Sequence, residues 1–394
     1  MRYSDQRWPV GGDDVAYGQS TGRLRILETR LLAAVELETA IRQGDNATWK
    51  QLLDRLDYPA GADLLQRVNK AGEAADALLV ELSMDKVLSY GLLLYQPYHN
   101  LKVFLKALLP SDGQSVKAAW HDEKNDAIPE HLKELLYFNA SENIETCRKL
   151  VVETLVQTDE RPVDPADYNS FSDEFIGMDE LRADSFIRTH VPEIFKHAVL
   201  AAARSYAAVS EVGQIDAVLD KFYFAHLAAL ANRSRQAFLR VYAELKADIA
   251  NMNILYRSVK LKLEATKVSE LWVPGGQIKN GEALTKLLRE DAAAWRKAWS
   301  ATPVNEIAAI AFAASHSNGG EVVPPGTFAK AADDMVMDLA RIGLKVVYGP
   351  QVVAGYWLAK QAEIRNLRLL FSLRAQGKDR EALLGLMREV YIHG

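Results

Sequence analysis

The sequence holds a single cysteine, Cys147, in 394 residues. One thiol cannot form an internal disulfide, and a chain of this kind is expected in a reducing compartment. No apolar run approaches the ~20 residues that a membrane-crossing helix needs, so no transmembrane span of its own is expected. Residues 1–14 lack the hydrophobic stretch of a signal peptide, which points to the cytoplasm. Basic residues are not in excess. The formal net charge is −5 and the pI about 6.0, which excludes a dedicated nucleic-acid binder. Series of alternating strand-like residues are missing too.

Catalytic signatures are equally scarce. Gly276 and Gly281 have the spacing of a phosphate-binding loop, but Glu282-Ala283 stands where lysine and a hydroxyl residue are required. The eight histidines are scattered; His190 and His197 are seven apart, without a His-Glu-x-x-His pattern. Cys147 has only His131 near it in sequence, so an inert thiol is expected. Trp272, Trp295, Trp299 and Trp357 are expected as core or domain-contact residues. Asp333, Asp334 and Asp338 have the look of the aspartate-rich motif with which helical isoprenoid-type enzymes hold Mg²⁺. The second such motif is missing downstream, so an acidic turn, either solvated or used in packing within the repeat, is the better reading. No catalytic residue, cofactor or metal is assigned.

What is present is helix. Hydrophobic residues make 49% and charged residues 25% of the chain, with alanine, leucine, glutamate, lysine and arginine abundant. An all-α protein is expected, and the length suggests two or three domains. Residues 1–17 read as a loose lead-in. Helices are expected from Ser20-Thr21 onward, over 47–56, as one segment over 64–95 with Gly91 a weak point, and over 98–109. Further helices are expected over 141–157, 179–209, 214–268, 281–299, 303–314, 327–345 and 379–390. Polar or Pro/Gly-rich connections cover 110–135, 158–178, 271–276 and 315–325. The most sharply bounded element is 349–377. Pro350 suits a first helical position and Gly377 a stop. Val353, Tyr356, Trp357, Ile364, Leu367, Leu370 and Phe371 fall three or four apart, as one apolar stripe.

One short pattern recurs three times. Asn100-Leu-Lys-Val-Phe-Leu, Asn251-Met-Asn-Ile-Leu-Tyr and Asn366-Leu-Arg-Leu-Leu-Phe each run asparagine, apolar, polar, then three apolar residues. Asp248 and Glu363 sit three residues before the second and third asparagine. Basic residues surround the pattern, among them Lys102, Arg365 and Arg368. Acids lie some 30 residues upstream, at Asp216 and Asp220 and at Asp333 and Asp334. Asparagine inside a helix is mildly unfavourable, because its side chain competes for backbone partners. Its recurrence suggests a repeated structural role, a hydrogen bond to a neighbouring segment. Three helical repeats are delimited, 17–110, 111–270 and 271–394, the second with the softest boundary.

Residues 21–32 (TGRLRILETRLL), 52–59 (LLDRLDYP), 98–109 (YHNLKVFLKALL), 271–278 (LWVPGGQI) and 346–377 resemble the C-type rotor protein of the V/A-type rotary ATPases, whose eukaryotic relative is the d-type protein of the vacuolar proton pump. The resemblance spans roughly 17–392 and weakens over 110–178. It implies three similar helical domains in a pseudo-threefold funnel. It implies a non-catalytic rotor component that links central-stalk subunits D and F to the membrane c-ring of proteolipids and transmits torque. Such a chain would lie on the cytoplasmic face of the membrane, in a complex moving H⁺ or Na⁺. The alternatives are a free-standing helical scaffold or adaptor and, less favoured, a Mg²⁺-dependent enzyme built on Asp333, Asp334 and Asp338.

Overall fold

The computed structural model describes residues 8–109, 136, 147, 150–151, 154, 193–234, 236–311, 324–377 and 379–392. The expected helix over 141–157 and the linkers at 110–135 and 158–178 fall mostly outside these residues. Among the described residues the chain is helical and has no strand, apart from one isolated bridge between Ala33 and Ile392. After a 3₁₀ turn at Val15–Tyr17 come α1 (Gly18–Glu28), α2 (Ala34–Gln43), α3 (Asn46–Arg55), α4 (Leu64–Leu82), α5 (Lys86–Leu93) and α6 (Tyr95–Leu108). Then follow α7 (Glu193–Val209), α8 (Val212–Arg233), α9 (Ala237–Leu261), α10 (Ala265–Leu271), α11 (Gly281–Leu288), α12 (Ala292–Ala298) and α13 (Asn305–Ala311). The last group is α14 (Pro325–Ala340), α15 (Ile342–Lys345), α16 (Pro350–Ala375) and α17 (Arg380–Gly385).

Local chemistry explains most boundaries. The Asp45, Asp63, Asp85, Asn280 and Asp291 side chains accept from N–H groups in the first turns of α3, α4, α5, α11 and α12. Gly44 ends α2 at φ +73°, a conformation that costs glycine little. Several long segments divide. The expected helix over 64–95 breaks at Ser83–Asp85, where the Asp85 cap restarts it, and Gly91 is no weak point. It lies inside α5, where an added Cβ would come within 2.8 Å of Leu239 on α9. The expected helix over 214–268 divides near the polar residues Ser234 and Gln236, and again after Leu261, where Lys262 turns left-handed at φ +52°. The 281–299 segment divides at Asp291 for the same capping reason. α1 starts at Gly18 rather than at Ser20, whose hydroxyl instead donates to the Leu82 carbonyl at 2.9 Å.

The lead-in is not loose over residues 8–17. Trp8, Val10 and Tyr17 are buried, and the Trp8 indole donates to Asp338 Oδ2 at 3.0 Å. α16 runs from Pro350 to Ala375 as expected, roughly 39 Å at 1.5 Å per residue. Its burial is not a stripe. Every residue from Pro350 to Lys360 is buried, so its first half is enclosed on all sides. α16 packs against α1, α4, α14 and α15, which makes it the axis of this part of the molecule.

Candidate functional site

Asn251, on α9, is fully buried. Its Nδ2 donates to the Val273 carbonyl at 2.8 Å, and its Oδ1 accepts from the Val273 N–H at 3.0 Å. The amide thus replaces a backbone partner for one residue of the loop after α10. Asp248, one turn earlier, holds the same loop. Its Oδ1 accepts from the Gln277 N–H at 2.7 Å and from the Trp299 indole at 3.0 Å. Gly276 is required there, because an added Cβ would lie 2.4 Å from that oxygen. Burial pushes the Asp248 carboxyl up to about 6, against the opposing effect of those two donors.

Asn366, on α16, is also fully buried and repeats the arrangement. Nδ2 donates to the Arg388 carbonyl and Oδ1 accepts from the Arg388 N–H, both at 3.3 Å. In both copies the latched residue lies 22 positions after the asparagine. Glu363 takes the place of Asp248 in sequence but grips different partners: the Leu32 N–H at 2.7 Å, the Tyr58 hydroxyl at 2.5 Å and Lys360 Nζ at 2.6 Å. Lys360 also lies 4.2 Å from the centroid of the Tyr58 ring. Burial first, and the Glu363 charge second, push the Tyr58 hydroxyl well above its ordinary range. Asn100 is buried at the corresponding place on α6.

The residues after each asparagine face the neighbouring element. α6 packs on α8, α9 on α14 and α16 on α4, which closes a cycle of three contacts. Lys102, two residues after Asn100, pairs with Asp220 on α8 at 2.5 Å. Arg368, two after Asn366, donates to Asn69 on α4 at 2.9 Å. Asp220 lies 31 residues before Asn251, and Asn69 lies 31 before Asn100, so both contacts use the same register. At the third contact the corresponding residues are Asn253 and Met335. The expected upstream acids are therefore not equivalent. Asp220 faces Lys102 of the preceding asparagine helix, and Asp216 faces Lys106 at 2.7 Å. Asp333 instead faces its own end of the chain, bonded by Arg388 Nε and lying 3.5 Å from Arg365.

The three aspartates of α14 serve separate partners. Asp334 accepts from the Glu389 N–H at 2.8 Å and lies 3.2 Å from Lys330, while Asp338 takes the Trp8 indole. No group of three or more metal-ligating side chains occurs among the described residues. Cys147 is buried and, as the chain's one cysteine, forms no internal disulfide. Trp295, Trp299 and Trp357 are buried, and the Trp357 indole donates to Asp76 at 2.8 Å; Trp272, partly buried, donates to the Ile278 carbonyl at 2.9 Å. Sequence reasoning missed Asp76, whose buried carboxylate also receives Gln96 at 2.7 Å and Gln361 at 2.9 Å. It also missed Val273 and Arg388, which enter through backbone atoms that side-chain identity does not reveal.

Comparison with known proteins adds one match. A family model described as ATP synthase (C/AC39) subunit matches residues 20–385. No curated protein matches the sequence.

Proposed function

The chain belongs to the ATP synthase C/AC39 subunit family, which makes it a structural subunit of a V/A-type rotary ATPase, and from that premise we propose that it is the rotor spacer between central stalk and membrane ring. In this reading the three asparagine-marked units stand around a pseudo-threefold axis. The observation that carries it is the closed cycle of contacts, α6 on α8, α9 on α14 and α16 on α4, with the same register used at two of the three. Each unit touches both others, so a torsional load entering one is passed to two neighbours rather than to a free end. Dense helix packing is little compressible and transmits such a load.

The central-stalk subunits D and F would enter from one end, and the c-ring would meet the other. Those contacts are expected to be moderate in area and largely polar, as suits an assembly that forms and separates. No described helix is long and apolar enough to cross a membrane, so attachment would run through the ring on its cytoplasmic face. The acids of α14 favour a packing role over Mg²⁺ chemistry, since each is engaged by protein donors. The test is purification from detergent-solubilised membranes with a tag on this chain. Ring and stalk proteins are expected to co-elute. Elution of the chain alone, from membranes that contain the assembled ATPase, overturns the proposal in favour of a free-standing scaffold.

A further inference from the structure

α1 and α4 both pack on α16 but touch each other little, and a cavity of about 400 Å³ is lined by all three. That volume lies within the range of small-molecule sites. The side from α4 is built of short side chains, Ala71, Ala74 and Ala75, ahead of Leu78; Leu27 of α1 and Leu56 line the same space. The floor comes from α16, where Tyr356 and Lys360 stand one turn apart on one helix face, each only 8% exposed. The rim is exposed and ionic. Arg23 pairs with Glu81, and Arg30 with Asp57, so two side-chain bridges run from α1 to α4 and to the loop after α3. Exposed pairs of this kind hold weakly and separate easily.

The floor has donors to spare. Lys360 Nζ bonds Glu363 at 2.6 Å and lies 4.2 Å from the centroid of the Tyr58 ring. An ammonium has three N–H groups, so donor capacity remains toward the cavity that Lys360 lines. The Tyr58 hydroxyl is committed to Glu363 at 2.5 Å. The Tyr356 hydroxyl makes no hydrogen bond to a described residue and is not sealed from solvent, so it opens on the cavity. Burial, then the charges of Glu363 and Glu28, push it up to about 12 against the effect of Arg30, so it keeps its proton. A molecule that displaces water from this floor has to return a hydrogen-bond acceptor to it. Charge narrows the choice further. Every cation lining the cavity has a carboxylate: Arg23 has Glu81, Arg30 has Asp57 and Lys360 has Glu363. No charge is left over, so a charged ligand would have to break one of these pairs.

We propose that the cavity between α1, α4 and α16 is a binding site for a compact, neutral, mainly apolar molecule with one carbonyl or hydroxyl oxygen, which accepts from Tyr356 and Lys360 on the floor. The apolar body lies against Leu27, Leu56, Leu78 and the alanines of α4, and the rim bridges part to admit it. The site goes beyond the rotor reading and does not depend on it.

The test titrates the full-length chain with three probes of one shape: camphor, which has a single carbonyl; camphane, which lacks it; and the anion camphor-10-sulfonate. Ligand-observed NMR reads each Kd. Camphor is expected to bind about fivefold more tightly than camphane, the usual effect of one hydrogen bond, and about tenfold more tightly than the sulfonate. Y356F is expected to remove most of the preference for camphor over camphane while leaving camphane unchanged, a ratio that a merely structural role would not move. A74W, on the exposed side of α4, is expected to block the cavity and abolish binding of both neutral probes. No binding of camphor at millimolar concentration overturns the proposal, as does equal binding to wild type and A74W, which would place the probe elsewhere. Tighter binding of the sulfonate than of camphor overturns the neutral ligand in favour of an anion site. An unchanged preference in Y356F overturns the role of the Tyr356 hydroxyl. The wild-type comparison of the three probes needs no variant to fold.

Discussion

An asparagine inside a long helix is a small local cost, and here it is offset by two hydrogen bonds to one backbone residue far along the chain. Asn251 and Asn366 do the same job at the same 22-residue reach, but with different geometry: 2.8 and 3.0 Å against 3.3 Å for both bonds. Leucine at either place would leave a backbone N–H and a carbonyl without partners. We expect Asn251→Leu to lower unfolding stability by about 2–4 kcal/mol and Asn366→Leu by less, since its bonds are longer. Denaturant unfolding of both variants checks this, and a reversed order would assign the latch energy elsewhere. Asp248 gives a pH signature. Its folded-state value, about 6, lies above the ordinary 3.8. Between these values the folded chain keeps a proton that the unfolded chain has released. The associated stability is present below 3.8 and lost as pH rises through 6. Asp248→Asn removes that slope. The variant is expected to gain on wild type by about 1–3 kcal/mol as pH rises from 4 to 6.5. A difference that stays flat with pH would show that the carboxyl titrates normally.

At the scale of elements, the three asparagine helices are alike in place and unlike in length. All run unbroken through their asparagine, but α6, which meets α5 at Leu94, has 14 residues against 25 in α9 and 26 in α16. The contacts they make also differ in chemistry. The first is ionic, Lys102 with Asp220, and burial raises the Asp220 carboxyl even against the lysine charge. The last is neutral on one side, Arg368 with the Asn69 amide. Removing one partner of a largely enclosed pair strands the other charge. Lys102→Met is therefore expected to cost about 1–3 kcal/mol, with Lys102→Met/Asp220→Leu together costing less than the first change alone. A double-mutant cycle by thermal unfolding reads this, and strict additivity would mean that the pair contributes no coupling.

At the scale of the molecule, the shared register makes a claim about a third pair of positions. If the units stand in a ring, Asn253 and Met335 are the third counterpart of Lys102 with Asp220 and Arg368 with Asn69. In a Cys147→Ser background, cysteine pairs at 102/220, 69/368 and 253/335 are expected to cross-link with a short bis-maleimide at comparable yield. Cross-linking at the first two and none at 253/335 would sink the threefold arrangement while leaving the individual contacts in place. The closed cycle also explains why α16, last of the long helices, is enclosed on all sides over its first half. It is gripped by α14 from its own end of the chain and by α1 and α4 from the other.

Helix content, the bounds of α16 and the asparagine pattern were legible from the amino-acid sequence, because each depends on residues a few positions apart; the capping roles of Asp85 and Asp291, which divide two expected helices, were not. The same holds for the family, since 346–377 and 98–109 carry its pattern locally. What the asparagines bind was not legible. Val273 and Arg388 present backbone atoms, which every residue has, and only the packed chain selects them. Nor could spacing show that Asp220 and Asp333 face opposite directions, or that the first half of α16 is buried on every side and not only along its stripe. Burial and ion pairing depend on which elements meet. That was decided by the tertiary contacts of α4, α8 and α14 with the three asparagine helices.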